Sequence, residues 1–319
     1  MRRREFIALV GASVAWPFVA LAQEPGRTYR LGILFPFPRE HPLIVLLMDD
    51  LRRRGFIDGQ NLTVNYRVFQ QHPELIPEYA AQLVKAEADV LFGGPVSALQ
   101  NATKSIPILG IADDMVGEGL VDSLARPNRN TTGVSILATE LDGKRQDILI
   151  DAVPGIHRMA ALSDANRKDA KLDTLQEAAR ARNIELSIHQ VASGAEISAA
   201  IDAAQASGAT ALNVLASPML DSNRQLIMDR VAVLRLPTMY QWPETAEEGG
   251  FIGYGARFSQ IFRDLVVPIM VKLFRGTKAA DLPVEQPSKF ELVINLKTAK
   301  AMGVIVPEAL LVRADKVIE

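Results

Sequence analysis

The side chains with the widest chemical repertoire are scarce in this sequence. It contains no cysteine, and its four histidines, His41, His72, His157 and His189, are scattered rather than grouped at metal-ligand spacing. Thiol chemistry and a local metal cluster have nothing to build on. There is no phosphate-binding loop, no dinucleotide glycine fingerprint and no G-x-S-x-G nucleophile turn; Gly253-Tyr254-Gly255 is a lone glycine pair that suits a tight strand end. The pattern fits a protein that binds a ligand without transforming it, with no cofactor expected. Polar and aromatic groups do recur directly after aliphatic runs. They are Phe35-Pro36-Phe37-Pro38-Arg39, Gly93-Gly94-Pro95-Val96-Ser97, Asp113-Asp114, Ser163-Asp164-Ala165-Asn166-Arg167, Ser217-Pro218 and Tyr240-Gln241-Trp242.

Each group has a structural and a ligand-binding reading. Gly94-Pro95 suits a turn with proline at a helix start, and the same geometry aims the N–H groups around Val96 and Ser97 at an anion. Asp113 and Asp114 suit a helix cap or a ligand amine. Asn166 and Arg167 suit a solvated loop, or a guanidinium that grips a carboxylate. Phe35, Phe37, Tyr240, Trp242 and Tyr254 suit packing, or a sandwich around a planar ligand.

The elements that position these groups follow one theme, a short β-branched or aliphatic run and then a helical pattern, which is the signature of βαβ units and a parallel sheet. The first unit pairs a strand over 29–35 with a helix that places Leu43, Leu46, Leu47 and Leu51 on one face, carries Arg52-Arg53-Arg54 in its last turn and stops at Gly55. Further strands are expected over 62–68, 89–92, 106–111 and 132–136. A second series follows over 158–162, 185–191, 209–215 and 237–240. One sheet of that width would be unusual, so two similarly built lobes are expected. After 250 come a short strand over 251–254, a long helical pattern through Phe258, Ile261, Phe262, Leu265, Ile269 and Leu273, the extended Pro283-Val284-Glu285-Gln286-Pro287, a strand over 290–294 and a helix over 296–302. The expected architecture is α/β, two Rossmann-like lobes with parallel-sheet cores joined by a multi-strand hinge. Lobe 1 comprises 28–134 plus about 251–282, and lobe 2 comprises 135–250 plus about 283–319. In open parallel sheets, ligands bind beyond the carboxyl ends of the strands, where the polar groups above fall.

Residues 1–22 give the chain an address. Arg2, Arg3 and Arg4 precede an apolar run from Phe6 to Leu21, and Ala20-Leu21-Ala22 has the small-x-small form of a signal-peptidase site. A cleaved leader of the secretory or twin-arginine type is expected, with the mature chain starting at Gln23. The composition is mildly acidic, net −2 for the full chain, and offers nucleic acid no basic footprint. Without cysteine there is no disulfide framework and no lipidated N-terminal cysteine, so the expected product diffuses freely in a Gram-negative periplasm; a monomer is also expected.

Several motifs together resemble the tryptophan/tyrosine-type uptake family of ABC-transporter substrate-binding proteins. They are Asp114-Met115-Val116-Gly117-Glu118-Gly119-Leu120-Val121, Ser123-Leu124-Ala125-Arg126-Pro127, Asn130-Thr131-Thr132-Gly133-Val134-Ser135, Gly143-Lys144-Arg145, Glu248-Gly249-Gly250, Tyr254-Gly255, and the run from Ala280 to Asn295 with Lys297-Thr298-Ala299-Lys300 after it. The resemblance spans essentially the whole mature chain. It implies a type I periplasmic-binding fold whose lobes close on a small molecule and present it to an ABC permease in the inner membrane. Three departures bear on the ligand. Asp114-Met115 stands where the family usually has Asp-Pro, and Asn128-Arg129-Asn130 where it has Gly-Gly-Asn. Ala216-Ser217-Pro218 replaces the Thr-Asp-Asn-like loop of members resembling tryptophan binders. Amino-acid specificity is therefore not carried over, and the candidate ligands are an aromatic or other small carboxylate or an amino acid. The candidate ligand-binding set is Phe35, Phe37, Gly94, Pro95, Val96, Ser97, Asp113, Asp114, Ser163, Asp164, Asn166, Ser217, Tyr240 and Tyr254. A ligand sensor for a membrane receptor and a periplasmic hydrolase or lyase are the alternatives.

Overall fold

The computed structural model describes residues 26–70, 72–167 and 171–319. The leader and its cleavage pattern lie outside the described residues. Two sheets organise the chain. The first has strands β1 (Tyr29–Phe35), β2 (Leu62–Val68), β3 (Val90–Gly93), β4 (Ile108–Ala112) and β5 (Thr131–Ser135), all parallel, in the order β2-β1-β3-β4-β5. The second has β6 (Arg158–Asp164), β7 (Glu185–Val191), β8 (Leu212–Val214), β9 (Thr238–Tyr240), β10 (Ile252–Gly255), β11 (Glu291–Asn295) and β12 (Lys316–Ile318), in the order β12-β11-β10-β9-β8-β6-β7. β1 and β6 are buried along almost their whole length, which explains their unbroken apolar runs: helices cover both faces of each sheet.

The two sheets repeat one plan. The order β7-β6-β8-β9-β10 reproduces β2-β1-β3-β4-β5, so β10 is the fifth strand of the second sheet. It pairs in parallel with β9. The boundary expected at about 251 would have placed this strand in lobe 1; the chain instead crosses after Gly255, because the second sheet takes its fifth strand from these residues. β11 then runs antiparallel to β10, and β12, which has no strong apolar signal, closes the edge beside it.

Helical residues 258–274 do return to the first lobe. Phe262 and Phe274 are fully buried against the β1 side of the first core. Rings of Tyr29, Phe56 and Phe274 meet there at centroid distances of 5.0–5.3 Å. Each such buried phenylalanine contributes about 1.5–3 kcal/mol by leaving water, which anchors the exchanged helix. The helix Pro42–Arg53 starts at His41, carries Pro42 in its first turn and ends in a cationic turn. Its buried face is Ile44, Leu47 and Leu51; Leu43 and Leu46 are only half-buried, so the expected stripe is rotated slightly.

Three crossings join the lobes. Residues 136–141 lead from β5 to the helix Asp142–Ala152, residues 256–257 lead from β10 to the returning helix, and residues 283–290 lead back to β11. The last of these is stitched to β5, since Ser135 donates to the Glu285 carbonyl and the Glu285 N–H donates to the Gly133 carbonyl, both at 2.9 Å.

Candidate functional site

In each sheet the strand order reverses between the first strand and the third, and an open α/β sheet has its crevice at that reversal. In the first lobe the point lies between the ends of β1 and β3, which brings Phe35, Phe37, Gly94, Pro95 and Ser97 to one edge. Backbones crowd there: Gly93 sits at φ +123°, and a Cβ on it would lie 2.1 Å from the Leu34 carbonyl oxygen. In the second lobe the corresponding point lies between β6 and β8, where Asp164 and Ser217 end the strands.

The second-lobe wall is a connected polar cluster. The Ser217 hydroxyl donates to Asp164 Oδ2 at 2.7 Å, and the Ser217 N–H donates to Gln241 Oε1 at 3.1 Å. The other Asp164 oxygen accepts the Asn166 N–H at 2.9 Å. Ser217 Oγ also caps the helix Pro218–Ser222, accepting from Met219 and Leu220. Asp164 is only 7% exposed, and among the described residues its side chain accepts from two neutral donors. The buried Asp50 and Asp142, by contrast, each pair with an arginine, as does the half-buried Asp113. Ser163 is buried beside Asp164, and Asn166 is exposed with its amide on the Ala192 carbonyl.

The first-lobe wall is aromatic. Phe37 is half-buried and stacks on His41 with centroids 4.3 Å apart and planes 15° apart; Tyr66 donates to the Phe37 carbonyl at 2.9 Å and fixes the loop. His41 Nδ1 accepts the Leu43 N–H. Burial pushes the His41 pKa below its ordinary 6.5, Arg224 of the second lobe pushes it further down and Glu248 opposes. Behind Phe37, Phe35 packs into a run of rings with Phe92, Phe262, Phe258 and Trp242, the last contributed by the end of β9. Pro95 and Ser97 are exposed, Gly94 is half-buried, and Val96 is buried against Gly110.

Other candidates have structural engagements. Asp114 Oδ1 accepts the N–H groups of Val116 and Gly117, so it caps its own turn. Tyr240 is buried in the second core. Tyr254 is half-buried near Phe290. Asp113 holds the first crossing, accepting from Ala138 and Thr139, and pairs with Arg167 of the second lobe at 3.0 Å.

A residue outside the candidate set organises the floor. Arg145 is fully buried on the helix Asp142–Ala152 and donates to the carbonyls of Ala138, Tyr254 and Gln241, at 2.7, 2.7 and 3.2 Å, and to Asp142 at 2.9 Å. One guanidinium thus ties the first crossing to the ends of β9 and β10. Only its place in Gly143-Lys144-Arg145 marked it in the sequence, because helical periodicity treats an arginine as an exposed position.

A depression of about 540 Å³ lined by His157, Arg158, Arg180 and Glu185 lies at the N-terminal ends of β6 and β7, away from both strand-order reversals. Among the described residues no group of three His, Cys, Asp or Glu side chains is placed to hold a metal ion. Among the same residues no helix is long and apolar enough to cross a membrane.

Two doubly wound lobes, three crossings and facing strand-end walls define a type I periplasmic-binding fold, the class of proteins that close on small solutes. The family model described as ABC transporter substrate binding protein matches residues 45–318, and the chain belongs to that family. A tyrosine-binding protein of Clostridioides difficile is 24% identical over 263 residues, covering 79% of this chain and 74% of that one. The crystal structure of a conserved domain protein from Vibrio cholerae superposes with a TM-score of 0.81 at 25% identity, over 91% of this chain and 100% of that one. An ABC domain from Streptococcus pneumoniae in complex with L-Trp gives 0.77 at 23% identity, again over 91% and 100%.

Proposed function

We propose that the protein is a periplasmic receptor that captures a small amine-bearing solute between its lobes and hands it to an ABC permease of the inner membrane. The observation that carries this reading is Asp164, a buried carboxylate at the second-lobe crevice whose partners among the described residues, Ser217 Oγ and the Asn166 N–H, are both uncharged. Buried charges are normally paired, and a ligand ammonium supplies the missing cation. This bears on the departure at Ala216-Ser217-Pro218: the carboxylate that the loop lacks is delivered by the neighbouring strand β6 and held by that loop's own serine. Phe37 and the loop Gly94–Ser97, at the corresponding strand ends of the first lobe, suit a planar, aromatic ligand body. That relatives are described as tyrosine-binding or hold L-Trp is consistent with an aromatic amine.

The remaining parts of the proposal concern address and assembly. The Arg2–Arg4 leader with Ala20-Leu21-Ala22 supports export and cleavage, and without cysteine the chain has no residue for a lipidated N-terminal cysteine. The proposed lobes are residues 28–135 with 258–282, and 136–255 with 286–319, a division supported by sheet membership and by the stitching of 283–285 to β5.

The test is a thermal-shift comparison of matched pairs, L-tyrosine and L-tryptophan against their deaminated propionic acids. A ligand that binds only the folded state raises Tm. The amine-bearing member of a pair is expected to shift Tm, and Asp164→Asn to abolish the shift. Equal or larger shifts with the deaminated acids would overturn the amine assignment.

A further inference from the structure

Asp113 stands where the first lobe, the first crossing and the second lobe meet. Its Oδ1 accepts the N–H groups of Ala138 at 2.6 Å and Thr139 at 3.3 Å, while Oδ2 accepts from the Thr139 hydroxyl and from Arg167 at 3.0 Å. We propose that Asp113 and Arg167 form an interlobe latch that holds a fraction of the ligand-free protein closed.

The two halves of this arrangement respond differently to opening. The crossing is tied to β4, since Ile136 donates to the Ala112 carbonyl and Leu137 to the Asp113 carbonyl, so the bonds of Asp113 to Ala138 and Thr139 survive when the lobes part. Arg167 travels with the second sheet, its N–H bonded to the Asp164 carbonyl. Its bond to Asp113 must break. The two side chains are 16% and 8% exposed, so their attraction is far less screened than that of a surface pair. Apparent affinity is the intrinsic affinity multiplied by the binding-competent fraction, so a latch that raises the closed population tightens every ligand without touching it. The inference goes beyond ligand identity and rests on the reading that these lobes open and close.

The chain has no native cysteine, so spin labels at Val45→Cys on the first lobe and Leu226→Cys on the second are unique, and both positions are exposed, 48% and 40%. Double electron–electron resonance on the ligand-free protein is expected to resolve a short-distance population. Arg167→Gln and Asp113→Asn should each lower the closed-to-open ratio about tenfold, and the double variant no further. Asparagine keeps an acceptor for the crossing, and Arg167 lies on a loop, so either variant alone decides if the other misfolds. A ratio unchanged within about twofold overturns the latch while leaving the receptor reading intact. A single long distance in the wild-type protein without ligand, shortened by a ligand that shifts Tm, also overturns it. A distance that never changes overturns the closing motion itself.

Discussion

Arg145→Met tests whether one buried guanidinium sets the hinge. Methionine keeps much of the aliphatic volume and removes every donor. It leaves the carbonyls of Ala138, Gln241 and Tyr254 without this partner, and leaves the Asp142 carboxylate, 6% exposed, with the Ala216 N–H at 3.1 Å but no cation. Breaking a buried pair by removing one partner costs about 3–5 kcal/mol, and an orphaned buried acceptor about 1–3 kcal/mol. These costs overlap because the groups share one cluster, so the expected loss is about 4 kcal/mol, a large part of a typical stability of about 5–15 kcal/mol. Urea unfolding followed by circular dichroism reads it as a lower midpoint. The Asp142→Asn/Arg145→Met double variant removes both charges, and should lose at least about 2 kcal/mol less than the sum of the single variants. An Arg145→Met loss below about 1 kcal/mol, or additive single variants, would refute the reasoning and reduce Arg145 to a tolerated buried charge.

Two further outcomes follow from other sites. Burial pushes the Asp221 carboxyl from its ordinary 3.8 up to about 6, with Arg224 opposing the rise and Glu248 and Glu244 adding to it. The folded chain thus holds this proton more tightly than the unfolded chain, so the group's stabilising contribution is complete below pH 3.8 and is lost as pH rises through 6. Asp221→Asn, which mimics the protonated form, should therefore raise Tm at pH 7.5 with the gain vanishing toward pH 4; a gain independent of pH would contradict the assignment. Gly253→Ala would place a Cβ 2.2 Å from the Trp242 carbonyl oxygen, so the backbones at the ends of β9 and β10 must separate. A loss of at least about 2 kcal/mol is expected, on the scale of overpacking in a tight core. It should come with a shift in the emission of Trp242, the one tryptophan after Trp16, and unchanged emission and stability would show that the strands yield freely.

The fold was more legible than the site because different physics writes each. The run over 29–35 marks its strand to the residue, since burial on both faces demands an apolar run, whereas 62–68 and 185–191 are half-buried edge strands marked by aliphatic residues interspersed with polar ones. The membership of 252–255 was not legible. A four-residue strand carries no label for its sheet, and a return to lobe 1 a few residues early satisfies the same apolar pattern. β12 was missed because a three-residue edge strand with one exposed and two half-buried positions has almost no periodicity to read. For the walls, the strand-end rule picked out Asp164 and Ser217 but could not say that they touch, since 53 residues separate them and only the β6–β8 pairing brings them together.

The same rule treats every strand-end polar residue alike, and the structure separates them by what already satisfies them. Asp114 is taken up by the N–H groups of its own turn, Asp113 by the crossing and by Arg167, and Asp142 by Arg145 and Ala216. Among the described residues, Asp164 receives two neutral donors. A carboxylate's demand for a cation is set by the sum of its neighbours, and the sequence states that sum only where the neighbours are local. It was local for Asp114, whose partners follow within three residues, and non-local for Asp164. The position proposed to meet a ligand amine is for that reason the one whose role the linear pattern could least distinguish.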